Sequence, residues 1–384
     1  MTGSLQTKNG KYYMVLNLQE NGKRKLKWIS TGLPEKGNKR KAEQMLREAL
    51  LAYDNAPRFP KTDMLFSDYI TGRWLPYVRR KVDEVTYQGY ELLAVRHVAP
   101  WFQERGVKLA DVTLQLLQEY VDEKATKGRQ DGKGGLSPRS LRLHKNILYQ
   151  ALTEAVKDGL LPANPCQYVV LPKSVRYESH FYTVEQLNQL FEVIRDEPLY
   201  PLLKITAIYG LRRSEVLGLK WDSIDFDAGT LTIRHTVSKV TKAVEKDKTK
   251  NATSYRSFPL TKEARTIFQE AKEAEQENRR LFGRAYCEND YVFKWEDGRT
   301  YSPDYVTSKF PALLKKHGLP HIRFHELRHS CASLLINAGF TLKDVQEWMG
   351  HADIKMTANI YGHLDVSRKQ TMAAKLAGEL TARC

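Results

Sequence analysis

The sequence predicts a multidomain α+β protein: a small three-stranded-sheet-plus-helix domain at the N-terminus, an all-α bundle, and a mixed, mainly α domain with a small β-sheet. Three observations predict it. Apolar and polar residues alternate on either side of an Asn9-Gly10 turn. From Leu65 to about Val170, apolar residues recur at helical spacing. Beyond Thr183 helical stretches resume, interrupted from Ile224 to Phe258 by strand-forming sequence. A length of 384 residues suits two or three domains.

In the first domain, Leu5–Thr7 and Tyr12–Leu18 flank the Asn9-Gly10 turn. Tyr12, Met14, Leu16 and Leu18 alternate with Tyr13, Val15 and Asn17, as a half-buried strand requires. A second turn at Asn21-Gly22 leads into a third strand, Lys25–Thr31. A helix over Lys39–Tyr53 presents Ala42, Leu46, Ala49, Leu50 and Tyr53 on one face. Pro57 and Pro60 punctuate the end, giving a domain of residues 1–56. Residues 1–60 hold 12 Lys and Arg against 5 Asp and Glu, a net +7. A small sheet of that charge fits a major groove; the alternative is a β-meander that binds a protein partner.

The second domain spans residues 64–170. Phe66, Tyr69, Ile70, Trp74 and Val78 suit one helix face. Tyr87–Phe102, Thr113–Thr126 and Pro138–Val156 give three more helices. Lys127–Gly135 is a glycine-rich loop, and Ser137-Pro138 supplies an N-cap with proline at the first helical position. Four helices serve as a structural bundle, or Arg139, Arg142 and Lys145 follow a phosphate backbone. Residues 173–180 form an extended linker. The third domain, 181–384, opens with a Thr183/Gln186 capping box.

The formal net charge is +16, from 61 Lys and Arg against 45 Asp and Glu. Such a surplus favours a polyanionic partner, because each phosphate neutralised releases condensed counterions. No run approaches the roughly 18 apolar residues of a membrane helix, and Met1–Gly10 lacks the apolar stretch of a signal peptide. The expectation is a cytoplasmic protein without a membrane partner. Cys166, Cys287, Cys331 and Cys384 are far apart, which argues against a zinc finger and a disulfide scaffold.

Four stretches carry chemistry. In Tyr209–Leu217, Gly210 lets a helix begin sharply, and Arg212 sits at its start, where backbone N–H groups also favour an anion. Glu215 can return to orient the guanidinium, which suits bidentate phosphate binding. His325-Glu326-Leu327-Arg328-His329 reads two ways. As H-E-x-x-H it is a zinc-protease helix; as H-x-x-R it puts an imidazole and a guanidinium on one face. The zinc reading gives Arg328 no task and leaves the basic charge unexplained. Gly350-His351 follows, then Tyr361 in a polar stretch ending at Gly362, which suits a hydroxyl held at a surface.

Gly210-Leu211-Arg212-x-x-Glu215, His325-x-x-Arg328, Gly350-His351 and Tyr361 resemble, in order, the boxes of the tyrosine recombinase (phage integrase) family. The likeness is nearest to integrases of Gram-positive phages and conjugative transposons. It covers Phe181–Val366 strongly; 64–170 resembles the family's core-binding domain and 3–56 its arm-binding domain. The resemblance implies a site-specific recombinase that cuts and rejoins DNA through a 3′-phosphotyrosine, integrating and excising a mobile element. Tyr361 would be the nucleophile. Arg212 and Arg328 would neutralise the phosphate charge, while His325 moves a proton or holds an oxygen and His351 adds a hydrogen bond. Lys248 would protonate the leaving oxygen, with Lys246 and Lys250 close enough to substitute. Glu215 would support, and neither cofactor nor metal is required. The implied partners are double-stranded DNA at crossover and arm-type sites and a homo-tetramer on that DNA, with excision or host DNA-bending factors as accessories.

Three other readings remain at this point. A type IB topoisomerase shares the chemistry, but the extra N-terminal module favours site choice. Bound zinc would identify a metalloprotease. A DNA-binding regulator explains the charge but not the Arg, His and Tyr boxes. After Tyr361, Met372, Leu376 and Leu380 make a narrow stripe on a helix over Val366–Ala382, packed on its own domain or on a neighbouring subunit.

Overall fold

A computed structural model describes residues 2–20, 23–54, 62–174, 180–240, 243–246, 255–361, 373–374, 376–377 and 380; side chains of 18–20, 23–24, 51–54, 243–246 and 359–361 are outside the description. The Asn21-Gly22 turn, Lys248 and Lys250 therefore lie outside it. The chain is mixed α+β and divides into two units, Met1–Val78 with Leu93–Lys173, and Arg79–Leu92 with Ser174–Cys384. No helix among the described residues is long and apolar enough to cross a membrane.

The first unit opens with an antiparallel sheet in the order β1 (Thr2–Lys8), β2 (Lys11–Glu20), β3 (Lys23–Pro34). Asn9 and Gly10 have φ of 51° and 69°. Both central residues are thus left-handed, the geometry that matches the twist of a hairpin. Met14 and Leu16 are buried on the face that meets α1 (Lys39–Asp54), where Gly3 lies close to Leu46 and Leu50. On the other face Tyr13 and Trp28 meet edge to face, and Leu26 and Trp28 stay about half exposed.

Helical sequence follows as α2 (Phe66–Tyr69), a π-helical turn (Ile70–Trp74), α3 (Leu75–Arg79), α4 (Glu84–Leu93, mostly in the second unit), a second π turn (Ala94–Val98), α5 (Ala99–Glu104), α6 (Leu114–Lys127) and α7 (Pro138–Lys157). All five residues expected on the first helical face, Phe66, Tyr69, Ile70, Trp74 and Val78, are buried. The π turn adds a residue to one winding. An aromatic core forms from Phe66, Phe102, Trp101 and Tyr120. Beneath it His144, 1% exposed, shares a 2.6 Å hydrogen bond with the Tyr120 hydroxyl through Nδ1. Burial pushes the His144 pKa down to about 4. Ser137 caps α7 with Pro138 in its first turn. Arg139 and Arg142 are exposed, but Lys145 donates to the Val169 carbonyl at 2.6 Å, so an internal acceptor occupies it.

The second unit continues with α8 (Val184–Val193), capped by the Thr183/Gln186 box, then α9 (Tyr200–Tyr209) and α10 (Arg213–Leu217). Strands β4 (Ile224–Asp225), β5 (Thr230–Ile233) and β8 (Arg256–Pro259) pair in the order β4-β5-β8, while β6 (Thr236–Lys239) and β7 (Ala243–Lys246) form a separate hairpin. Helices α11 (Lys262–Phe282), α12 (Pro303–Lys316), α13 (Phe324–Asn337), α14 (Leu342–Met349) and α15 (Ile354–Tyr361) complete the described elements with a few tail residues. The core lies between α9, α12 and α13 and the short sheet, with Leu203, Ile205, Phe310 and Leu327 fully or almost fully buried. Each such side chain is worth about 1.5–3 kcal/mol in removal from water. That core holds the N-terminus of α10, the first turns of α13 and the C-terminus of α14 against one another.

Candidate active site

Gly210 ends α9 with φ +62°. A Cβ there would meet Met349 Sδ at 2.7 Å and Cys331 Sγ at 3.2 Å. Dihedral and space both demand glycine. The sequence reading had Gly210 begin a helix; it terminates the preceding one instead, and Arg212 then caps α10. The reason is the left-handed conformation, which stops a helix and does not start one.

Glu215, one turn into α10 and 1% exposed, reaches back to Arg212. Its Oε2 accepts the Arg212 backbone N–H at 2.9 Å and its Oε1 accepts Arg212 Nη1 at 2.6 Å. Arg256, from β8, approaches the same carboxylate. Its Nη1 donates to Oε1 at 3.2 Å and its Nη2 to Oε2 at 2.9 Å. Burial by itself would push the Glu215 carboxyl up. The hydrogen bonds and charge of Arg256, then the charges of Arg212 and Arg328, outweigh it and hold the pKa at about 2.

The C-terminal end of α14 supplies the remaining acceptors. The Trp348 carbonyl accepts Arg256 Nε at 3.0 Å, the Met349 carbonyl accepts Arg328 Nη2, and the Gly350 carbonyl accepts Arg212 Nη2 at 2.8 Å. Three consecutive carbonyls hold three guanidiniums. The last carbonyls of a helix have no partner within it and sit at the negative end of its dipole. Gly350, φ +62°, turns the chain away at that point. Arg328 also donates to the Gly210 carbonyl at 2.6 Å and is 1% exposed. Burial, then the charge of Arg212, pushes its pKa down to about 9, so it stays charged at neutral pH.

Glu326 is fully buried and accepts the Arg323 backbone N–H at 2.5 Å and Arg323 Nη2 at 3.1 Å. This box starts α13 and places His325 and Arg328, three residues apart, on one face. The His325 ring stands edge to face with His329, centroids 4.9 Å apart. The residue as a whole keeps solvent exposure. Packing around the ring, then His329, Arg328, Arg212 and Arg323, pushes its pKa down to about 4. His351 is 5% exposed, with Nδ1 2.9 Å from the Thr357 hydroxyl. Burial first, then Arg328 and Arg212, pushes it down to about 3. Both imidazoles are neutral at pH 7. Glu326, turned to the helix cap, is not placed as a base beside His325 and His329, which removes the geometry the zinc reading needs. Among the described residues, no group of three His, Cys, Asp or Glu could hold a metal ion.

Arg212, Glu215, His325, Arg328 and His351 thus come together from α10, α13 and the turn after α14. Tyr361 is the last residue of α15, which packs on α13 and α14. The Tyr361 and Lys246 side chains, Lys248 and Lys250 lie outside the described residues. Sequence reasoning missed Arg256, Thr357 and the three carbonyls. Arg256 left one signal: it shares a strand face with Phe258, 2% exposed, so it is an arginine on the inward side of a strand.

Residues 180–368 match the model of the phage integrase family. A tyrosine recombinase XerC-like protein of Caldanaerobacter subterraneus subsp. tengcongensis is 28% identical, over 97% of this chain and 97% of its own. The tyrosine recombinase XerC of Serratia marcescens is 31% identical over 61% of this chain and 71% of its own. The ICEBs1 integrase of Bacillus subtilis is 26% identical over 76% and 77%. Among solved structures, the Tn1549 transposon integrase in complex with a circular intermediate DNA aligns with a TM-score of 0.64 at 20% identity, covering 82% of this chain and 99% of that one. A lambda integrase tetramer bound to a Holliday junction aligns with a TM-score of 0.58 at 16% identity, covering 91% and 95%. These two share the fold. The chain belongs to the tyrosine recombinase (phage integrase) family of site-specific DNA recombinases.

Proposed function

We propose that this recombinase integrates and excises a mobile DNA element, with Tyr361 as nucleophile in a site made by Arg212, Glu215, His325, Arg328 and His351. The observation that carries the reading is the convergence of Arg212 and Arg328 on one helix terminus beside two neutral histidines. The Tyr361 oxygen attacks the scissile phosphorus, forming a 3′-phosphotyrosine as the bond to the 5′-oxygen breaks. Arg212, its side chain 29% exposed, meets the non-bridging oxygens, and Arg328, buried in this state, adds charge from beneath. His325, neutral, accepts the tyrosine proton or holds an oxygen, and His351 donates a hydrogen bond. Lys248 delivers a proton to the departing oxygen; a positioned acid is worth about 10²–10⁴ in rate. A hydroxyl from another strand then attacks the phosphotyrosine. The bond's energy is retained, so no ATP is consumed.

In this reading residues 1–56 form an arm-binding domain, 64–170 a core-binding domain and 181–384 the catalytic domain. The open face of the first sheet, with Tyr13, Leu26 and Trp28 among basic residues, supports groove binding. Four subunits assemble on two crossover sites. Leu376 and Leu380 in the tail are 60% and 73% exposed, which supports docking on a neighbour over packing at home. An apolar groove of about 350 Å³ lined by Leu187, Phe191, Ala207, Leu334 and Leu335 is the matching surface on the catalytic domain.

The test is a denaturing gel after incubation with DNA carrying the crossover site. Wild-type protein gives a covalent adduct; Tyr361→Phe binds the DNA and gives none. An adduct in that variant would move the nucleophile elsewhere.

A further inference from the structure

Arg212 is a long, partly exposed side chain, and two acceptors set its direction: Glu215 Oε1 at 2.6 Å and the Gly350 carbonyl at 2.8 Å. The acceptors belong to different elements, 135 residues apart in sequence (350 − 215). Neither contacts the other through any hydrogen bond described above. One residue ties the carboxylate to the helix end that leads into Gly350. Arg256 forks onto the two oxygens of Glu215 and extends its Nε to the Trp348 carbonyl, in the turn that ends at Gly350.

We infer that Arg256 is a positioning residue for strand cleavage, fixing the carboxylate and the α14 terminus that together aim Arg212 at the scissile phosphate. The inference rests on the reading of Arg212 as a phosphate contact. Arg256 itself is 8% exposed at its side chain and lies over the Phe258 ring at 5.3 Å, so it acts through its neighbours. Without it each Glu215 oxygen loses one donor and the carboxylate is free to rotate toward Arg212 alone. The Trp348 carbonyl loses its donor at the same time. Lysine cannot replace it, because one ammonium cannot make a planar fork and reach a third acceptor.

The experiment compares full-length wild type, Arg256→Lys and Arg256→Gln on DNA with either a natural phosphodiester or a neutral methylphosphonate at the scissile position. On the methylphosphonate the charge that Arg212 meets is absent, so misaiming Arg212 costs less. Arg256→Lys is expected to cleave the natural substrate roughly 10–100-fold slower, as displacements of about 1 Å do. Its DNA affinity stays the same, its defect shrinks on the methylphosphonate, and adding Arg212→Lys slows it little further. Wild-type cleavage by Arg256→Lys, an equal loss on both substrates, or additivity with Arg212→Lys overturns the inference. So does failure of both Arg256 variants to fold in a thermal melt, which marks a purely structural role. Arg212→Lys alone separates the two levels. If it cleaves normally, the phosphate reading of Arg212 fails; if only Arg256→Lys does, the present inference fails and that reading stands.

Discussion

Arg256 and Glu215 form a two-pronged pair, Nη1 to Oε1 and Nη2 to Oε2, inside the catalytic unit. The side chains are 8% and 2% exposed, so the pair is close to dry. Truncating one partner of a buried pair leaves an uncompensated charge, which costs about 3–5 kcal/mol. Glu215→Ala should therefore destabilise the chain by that order in denaturant unfolding. A loss under about 1 kcal/mol would mean that water reaches the arginines and the pair is not a structural anchor.

Gly210→Ala should lower the melting temperature and slow cleavage together. A non-glycine residue in the left-handed region costs about 1–2 kcal/mol, and the added methyl meets Met349 and Cys331. The displaced Gly210 carbonyl is an acceptor for Arg328. Normal cleavage by this variant would separate the Arg328 position from the Gly210 turn.

His325 and His351 should be neutral in the DNA-free protein throughout the physiological range. Nuclear magnetic resonance titration of the imidazole protons would report midpoints near 4 and 3. A midpoint near 6.5 for His351 would show that the ring is neither buried nor crowded by Arg328 and Arg212.

The first unit should lose stability on acidification through His144. Its folded pKa, about 4, lies below the ordinary 6.5, so the folded state binds the proton less well than the unfolded chain. The stabilisation is complete above 6.5 and is lost as pH falls toward 4, a change of order 3 kcal/mol. A phenylalanine at His144 should flatten that slope in unfolding curves of the fragment or the full chain. Tyr120→Phe should cost about 1–3 kcal/mol by leaving the buried ring nitrogen unpaired.

Chelators should leave covalent adduct formation unchanged, since arginine and lysine supply the positive charge in the proposed mechanism. Loss of adduct with EDTA, restored by zinc or magnesium, would return His325 and His329 to the metal reading.

Much of this was legible in sequence because it is written locally. Asn9-Gly10 names its turn type, Thr183 with Gln186 names a helix start, and Ser137-Pro138 another. The boxes at Arg212, His325, Arg328 and His351 were visible because side-chain chemistry marks them. What stayed hidden was held by groups without a side-chain signature. The carbonyls of Trp348, Met349 and Gly350 are common to every sequence. Arg256 resembles any basic residue in a basic protein until its strand face is known. Gly210 was read as the start of α10 because its φ, which makes it the end of α9, is set by tertiary packing. The π turns at Ile70–Trp74 and Ala94–Val98 were read as ordinary helix, since one extra residue in a winding barely alters the apolar pattern.

The row of carbonyls at the end of α14 has an evolutionary consequence. Main-chain oxygens survive any substitution, so the side chains at 348 and 349 can drift with their packing while the guanidiniums keep their docks. Insertion or deletion of a single residue between Trp348 and His351 is another matter. It would shift the docks out of step with three arginines drawn from β8, α10 and α13. Selection on this stretch should therefore act on its length far more strictly than on its spelling.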